Sequence, residues 1–141
     1  MRYLFLLILC FGMAFSSYAQ DILGQWKTID DETGVEKSIV EIYKKDGKIY
    51  GKIIEIFNAS KRDLLCQSCE GEDYNKPILG LNIIKDMEIK GNVYKNGTVI
   101  NPEDGKIYDC RLKLDEDNPN RLQVRGYVAF FYRTQYWVRV G

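Results

Sequence analysis

The sequence predicts an all-β protein, an eight-stranded antiparallel up-and-down barrel with one short helix or loop insertion at about 58–80. First, about eight short runs are rich in Val, Ile, Tyr and other residues that favour strands. Second, nearly all of these runs are joined by short turns, which connect antiparallel neighbours and produce a meander. Third, eight meandering strands leave two free edges, and closure into a barrel removes both. A two-sheet sandwich is the alternative.

Composition narrows the possible functions. The chain has 141 residues, with 20 Lys+Arg, 20 Asp+Glu and no His. Without His there is no Ser-His or Cys-His relay and none of the usual zinc sites that contain His. The balanced charge argues against a nucleic-acid partner, which requires a basic face. We therefore expect a non-enzymatic protein with no cofactor and no metal. An enzyme using carboxylates such as Glu41 and Glu55 is the lesser alternative.

Residues 1–19 have the layout of a cleaved secretory signal peptide. Arg2 precedes an apolar run over 3–15, and Ser17 and Ala19 supply small residues before a cut ahead of Gln20. The run of about 13 residues is shorter than the roughly 20 that a membrane-spanning helix needs, which disfavours an anchor. A lipoprotein acylated at Cys10 is disfavoured by the bulky residue before it. The expectation is a domain over 20–141, located in the periplasm or secreted, with no membrane span.

The first three strands follow the export signal. A short run at 24–29 comes first, and the segment 38–57 contains two runs rich in Ile, Val and Tyr. Asp46-Gly47 separates these two runs, and an Asp-Gly pair between such runs is the strongest short-range signal for a hairpin.

The insertion at 58–80 breaks the meander. Ser60 and Asp63 have the spacing of a capping box, which predicts a short helix over about 59–66. Its Cys66-Gln67-Ser68-Cys69 motif leaves three pairing alternatives open. Cys66 and Cys69 form a structural disulfide, one of them pairs with Cys110, or the motif serves redox or metal chemistry. The insertion is either a functional lid or a segment held down by its bridge.

The remaining strands alternate with turns rich in Gly, Asn, Asp and Pro. The run at 106–114 alternates apolar and charged residues with a period of two, which marks a half-buried strand. The predicted strands after the insertion are 81–89, 93–100, 106–114, 121–129 and 133–140.

Gly24-Gln25-Trp26 resembles the G-x-W motif at the start of lipocalins and related calycins. The resemblance implies that Trp26 lies across the closed end of the barrel and that an Arg from the last strand packs on its face. Arg139 is the candidate, and the pair has a physical rationale as a cation–π contact.

Nearly the whole chain from 24 to 140 resembles domain-of-unknown-function family 2147, a family of small exported bacterial proteins. The resemblance implies a calycin-like β-barrel in the periplasm or outside the cell, and it implies no activity. Family members often have a Gly-rich link before the last strand, where this chain has Phe130-Phe131-Tyr132, so the shape of the last hairpin is left open. The segments that carry the resemblance are GQWKTIDDETG, EIYKKDGKIYGKI, CQSC, KPILGLNII, INPEDGKIYDCRLKL, LQVRGYVAF and RTQYWVRV.

Arg125 and Tyr127 stand two residues apart and therefore point to one face of the seventh strand. The pair is similar to the Arg-x-Tyr that fatty-acid-binding barrels use to hold a carboxylate, and Arg can grip such a group with two hydrogen bonds. The opposite face carries Leu122 and Val124, so apolarity alone would place Arg125 outside the barrel. Both alternatives stay open.

In the eighth strand, Arg133, Gln135 and Trp137 share one face with Arg139. With Trp26 they are predicted to line the ligand end of the barrel, and the alternative is a stacked surface that stiffens the closing strands. The predicted function is binding of a small hydrophobic or fatty-acid-like molecule, with or without a carboxylate. The alternative is a solid-packed barrel that serves as an interaction module for a cell-envelope protein.

Overall fold

A computed structural model describes residues 21–141. The predicted signal peptide and Cys10 lie outside the described residues. Within them, eight strands form a closed barrel in which each strand pairs antiparallel with its sequence neighbours and the first pairs with the last. This confirms the predicted up-and-down barrel over the sandwich. Among residues 21–141, no helix has the length and apolar character needed to cross a bilayer.

The strand bounds lie close to the predicted ones. The main differences are that the second and eighth strands begin two residues earlier than predicted, which shortens the turns that precede them. The strands are β1 (Gly24–Ile29), β2 (Glu36–Lys45), β3 (Lys48–Ile56), β4 (Asn82–Lys90), β5 (Val93–Ile100), β6 (Ile107–Leu114), β7 (Arg121–Val128) and β8 (Phe131–Arg139).

The barrel closes along a narrow seam between β1 and β8. Only two residue pairs are in register there, Trp26 with Arg139 and Lys27 with Val138. By comparison, eight pairs join β2 to β3. The amide of Val140 continues the seam by donating to the Gln25 carbonyl at 3.0 Å. Closure therefore depends on few backbone contacts and on the side chains that cover them.

The two ends of the barrel differ. At the closed end, two-residue turns join β2 to β3 and β4 to β5, and the longer turn 115–120 joins β6 to β7. Both described ends of the chain lie beside them. At the open end lie the loop 30–35, the insertion, the turn 101–106 and the two-residue turn of the β7–β8 hairpin. The core fills the closed half with fully buried side chains from six strands: Trp26, Ile42, Ile49, Met87, Leu112 and Leu122.

The insertion contains two single turns of 3-10 helix, Ala59–Lys61 and Gly71–Asp73, in place of the helix expected over 59–66. The capping residue also differs from the expected one. Asn58 caps the turn in place of Ser60, and its side chain accepts from the Ser60 amide at 3.1 Å. Arg62 then donates to the Ile56 carbonyl at 2.8 Å, which turns the chain back onto the end of β3. The expected two-turn helix over 59–66 does not form, because the chain already turns back at Arg62.

Cys66 and Cys69 form a disulfide with Cα atoms 5.3 Å apart. Of the three pairing alternatives, the structure has the local bridge. Two backbone hydrogen bonds hold the bridged segment to the returning chain at 75–76, from the Cys66 amide to the Lys76 carbonyl at 2.7 Å and from the Asn75 amide to the Cys66 carbonyl at 2.9 Å. In residues 21–141 Cys110 is the free cysteine, and it is buried on β6.

Candidate functional site

A cavity of about 510 Å³ opens at the open end of the barrel. Residues of the loop 30–35, of the insertion and of the turn 101–106 line its mouth, and Trp137 lines its deep end. Every second residue of a strand faces the interior. Aliphatic side chains are the largest group among the residues that line this cavity. The apolar lining includes Ile53, Ile83, Val99, Ile100, Val124 and Trp137.

A glycine shapes one side of the wall. Gly126 of β7 and Tyr108 of β6 both line the cavity. A Cβ atom on Gly126 would lie 3.2 Å from Tyr108 Cβ, which is tighter than most side-chain contacts. The missing side chain therefore leaves room for Tyr108 beside β7.

Two hydroxyl groups provide a polar position within the apolar wall. Thr28 of β1 and Ser38 of β2 are directly opposite in the strand register and share a hydrogen bond of 2.7 Å. Both residues are buried and both line the cavity. Each hydroxyl can donate and accept, so the pair can satisfy a neutral polar group on a bound molecule. Gln135, which accepts from Trp137 Nε1 at 3.3 Å, adds an amide nearby on β8.

Charged side chains ring the mouth, and the cations among them are paired. Arg133 Nε donates to Asp31 Oδ2 at 2.7 Å, and Lys37 Nζ donates to Glu103 Oε1 at 2.8 Å. Hydrogen bonding to Arg133 lowers the pKa of the Asp31 carboxyl, and hydrogen bonding to Lys37 lowers that of Glu103. These pairs tie β8 to the loop 30–35 and β2 to the turn 101–106.

Arg125 and Tyr127 do not line the cavity, which corrects the predicted carboxylate grip inside the barrel. Leu122 and Val124 take the inner face of β7, so the intervening residues face outward. Arg125 Nε donates to Thr134 Oγ1 at 2.8 Å, and its guanidinium carbon lies 4.6 Å from the ring centroid of Tyr132. Apolar alternation along β7 is the sequence signal that indicates this orientation.

Arg133, Gln135 and Trp137 all line the cavity, at its mouth, middle and deep end. The shared inner face predicted for β8 is therefore found in the structure. Their contact with a ligand stays a prediction.

Trp26 lies below the cavity and does not line it, so its predicted place in the ligand wall is corrected to a structural one. Its indole is fully buried and Nε1 donates to the Ile22 carbonyl at 2.8 Å. The guanidinium carbon of Arg139 lies 4.3 Å from the ring centroid, as expected for the stack. Arg139 also donates to the carbonyls of Leu23 and Asp21. Gly24 begins this strand at φ +120°, a conformation that favours glycine.

The cavity includes residues that the sequence analysis did not single out. Tyr108 belongs to the alternating run at 106–114, so its inward face could have been read from the pattern. Thr28 and Ser38 gave no such signal, because hydroxyl residues are common on either face of a strand. The pairing of Lys37 with Glu103 joins positions 66 residues apart and follows from closure alone.

This chain was compared with curated proteins, with solved structures and with protein-family models. A search among curated proteins finds no match. Among solved structures, protein HP1028 from the human pathogen Helicobacter pylori, described as belonging to the lipocalin family, is similar with a TM-score of 0.72. The two chains share 21% sequence identity, and the match covers 86% of this chain and 84% of that one, so the similarity concerns the fold. The profile of DUF2147, described as an uncharacterized protein conserved in bacteria, matches residues 24–139. The chain therefore belongs to the DUF2147 family, and its fold is a lipocalin-like barrel.

Proposed function

We propose that the protein is an exported, non-enzymatic binder of a small, largely apolar molecule that occupies the open-end cavity. The observation that carries this proposal is the cavity itself, whose volume of about 510 Å³ suits one small ligand. Ligand pockets typically enclose about 300–1,000 Å³ and combine apolar walls with a few polar groups. The opening supports the binder over a solid-packed barrel, the alternative considered above.

The polar groups of the cavity favour a neutral head group over a free carboxylate. The hydroxyls of Thr28 and Ser38 can bond to an alcohol, ester or amide. A carboxylate would need a free cation, yet Arg133 and Lys37 are already paired with Asp31 and Glu103. Arg125 is outside the barrel and cannot reach the interior. We therefore propose a lipid-like ligand whose polar part is uncharged.

A matched pair of substitutions tests the cavity. Val99 lines the cavity, whereas Val138 lies on the outer face of β8 and is 40% exposed. Val99→Trp should fill the interior and weaken binding of the neutral fluorescent probe N-phenyl-1-naphthylamine by about tenfold or more, because the lost volume excludes the probe. Val138→Trp adds the same group outside and should leave probe binding unchanged. Equal probe affinity in both variants and the wild type would show that the interior is not the binding site.

The head-group preference is tested by competition. We expect 1-dodecanol to displace the bound probe at least as well as dodecanoate does. Arg125→Ala should change neither displacement curve, because this side chain is outside. The neutral preference is wrong if dodecanoate is much the better competitor and Arg133→Ala abolishes its advantage.

A further inference from the structure

The tip of the β7–β8 hairpin carries the most exposed aromatic side chains among the described residues. Phe130 is 98% exposed, Phe131 79% and Tyr132 63%. With Val128, which is 48% exposed and pairs with Phe131, they are grouped at the end of this hairpin, named here the aromatic tip. Exposed apolar residues that occur singly are ordinary, but a contiguous patch of them marks an interaction site.

The aromatic tip projects beyond the barrel wall. On one side, β6 pairs with β7 only as far as Tyr127, so Val128 and the turn have no neighbouring strand. On the other side, β1 reaches β8 only at Val138 and Arg139, far from the hairpin turn. Val128 pairs with Phe131 as the last rung, and Ala129 closes the turn with a φ of +50°. The projection is therefore a consequence of the strand pairing.

The aromatic tip stands beside the mouth of the cavity. Gly126 and Arg133 are paired two rungs below the last one, and both line the cavity. A surface that receives the aromatic tip would therefore also meet the entrance to the interior.

Two guanidinium groups that form no salt bridge within residues 21–141 lie below the aromatic tip on the outer face. Arg125 stacks on Tyr132, and Arg111 is directly opposite Arg125 on β6. In the described part of the chain neither forms a salt bridge, and Arg111 Nε has no hydrogen-bond partner. The acidic side chain of this patch is Asp109, which faces Tyr127 in the strand pair. Going from the hairpin end toward the body of the barrel, aromatic side chains therefore come first and cationic side chains follow.

The size and shape of the aromatic tip favour a fluid surface over a second protein. Three aromatic side chains at about 200 Å² each, reduced by their exposed fractions, offer on the order of 500 Å². A stable protein interface buries about 800 Å² on each partner, usually on a flatter surface. A lipid bilayer can deform around a narrow projection, and aromatic rings are favoured at its interface.

We propose that the open end of the barrel docks on a phospholipid bilayer through the aromatic tip, with Arg111 and Arg125 meeting head-group phosphates. The layers of the protein match those of the bilayer, in which the phosphates lie outside the region that accepts apolar rings. Docking needs no bound ligand, so it is independent of the cavity. If the proposed function also holds, docking places the cavity mouth at the surface from which a lipid-like molecule would enter.

A flotation experiment with full-length mature protein tests docking. The vesicles contain phosphatidylcholine and phosphatidylglycerol in equal parts, and no ligand is added. Phe130→Ser with Phe131→Ser should reduce the vesicle-bound fraction by about tenfold, because binding scales with the apolar area inserted. The control Ile89→Ser removes an apolar side chain that is 44% exposed near the closed end, and it should bind like the wild type. Arg111→Gln with Arg125→Gln should also weaken binding.

A tryptophan at the tip reports insertion directly. Phe130→Trp should show a blue-shifted emission with vesicles and quenching by brominated acyl chains. The docking proposal is overturned if the wild type does not float with vesicles or if the tip and Ile89 variants float equally. A wild-type dimer that the tip substitutions dissociate, without any vesicle binding, would also overturn it in favour of self-association. Val99→Trp should lose probe binding and still dock. A wild type that docks but binds no probe would count against the cavity and not against docking.

Discussion

At the scale of single residues, Arg139 connects the last strand to the first. It stacks on Trp26 and donates to backbone carbonyls of the segment before β1. Arg139→Ala should lower the free energy of unfolding by about 2–3 kcal/mol, because a cation–π contact on the fully buried indole and several hydrogen bonds are lost together. Urea denaturation measures the change.

The matched control is Arg121→Ala. Arg121 also stacks on an aromatic ring, with 4.8 Å between its guanidinium carbon and the centroid of Tyr136, but its side chain is 45% exposed. Arg121 also forms an ion pair with Asp115, and exposed ion pairs contribute little, so this change should cost clearly less. Equal losses in the two variants would mean that Arg139 has no special part in closing the barrel.

The buried Cys110 thiol makes the free energy of unfolding fall as the pH becomes alkaline. Burial raises its pKa to about 12, whereas an unfolded thiol titrates near about 8.5. The stabilisation from this shift is complete below the unfolded value, and it declines as pH rises toward the folded value because only the unfolded chain loses the proton. Cys110→Ala lacks this dependence.

The measurement compares the two proteins by urea unfolding at about pH 8 and about pH 10. The stability advantage of the wild type over Cys110→Ala should shrink at the higher pH, because other titrating groups are common to both. An advantage that stays constant would show that the folded thiol titrates normally.

At the scale of elements, the disulfide stabilises the insertion and not the barrel. It closes a loop of four residues, so loop-closure entropy limits its effect to about 2 kcal/mol. Cys66→Ser with Cys69→Ser should speed amide hydrogen exchange across 64–78, where the Cys66 and Asn75 amides make their hydrogen bonds. Exchange in β5 and β6 should not change.

A second substitution reaches the insertion from the opposite side. Gly105 has a φ of +75°, and a Cβ there would lie 1.8 Å from the Ser68 carbonyl oxygen. Gly105→Ala should therefore displace the bridged loop and give the same local increase in exchange without touching a cysteine. Loss of protection throughout the barrel in either variant would mean that the insertion is part of the folding core.

The sequence patterns were informative for strands and weak for the insertion. Alternation in 106–114 and the Asp46-Gly47 turn predicted their elements because period and turn chemistry are local properties. The helix expected over 59–66 was wrong because Asn58, two residues before the considered motif, provides the cap and Arg62 bonds back to β3. Both contacts depend on where β3 ends.

At the scale of the whole molecule, the β1–β8 seam is the weak point of the closed sheet. It has two residue pairs in register, against eight between β2 and β3. Backbone amides at the seam should therefore exchange faster than those of the β2–β3 hairpin, since fewer neighbouring hydrogen bonds must break to open them. Residue-resolved hydrogen exchange by NMR measures this, and equal protection in both places would contradict it.

The site was predictable only in part, because it depends on closure. The inner face of β8 followed from the spacing of Arg133, Gln135 and Trp137. The prediction that Arg125 binds a carboxylate inside the barrel was wrong. An analogous motif carries no information about which face of a strand points inward. The contact of Thr28 with Ser38 needed the register of β1 against β2, and that of Lys37 with Glu103 needed the turn 101–106 to come round to β2.

Both ends of the described chain lie at the closed end of the barrel. Arg139 Nη2 donates to the Asp21 carbonyl at 3.0 Å, and Gly141 follows directly, on the side away from the cavity mouth. A purification tag or a sensor-chip tether attached after Gly141 would thus leave the entrance and the aromatic tip unobstructed. Immobilised protein would present both toward bulk solution, which is the orientation that capture assays with vesicles or small molecules require.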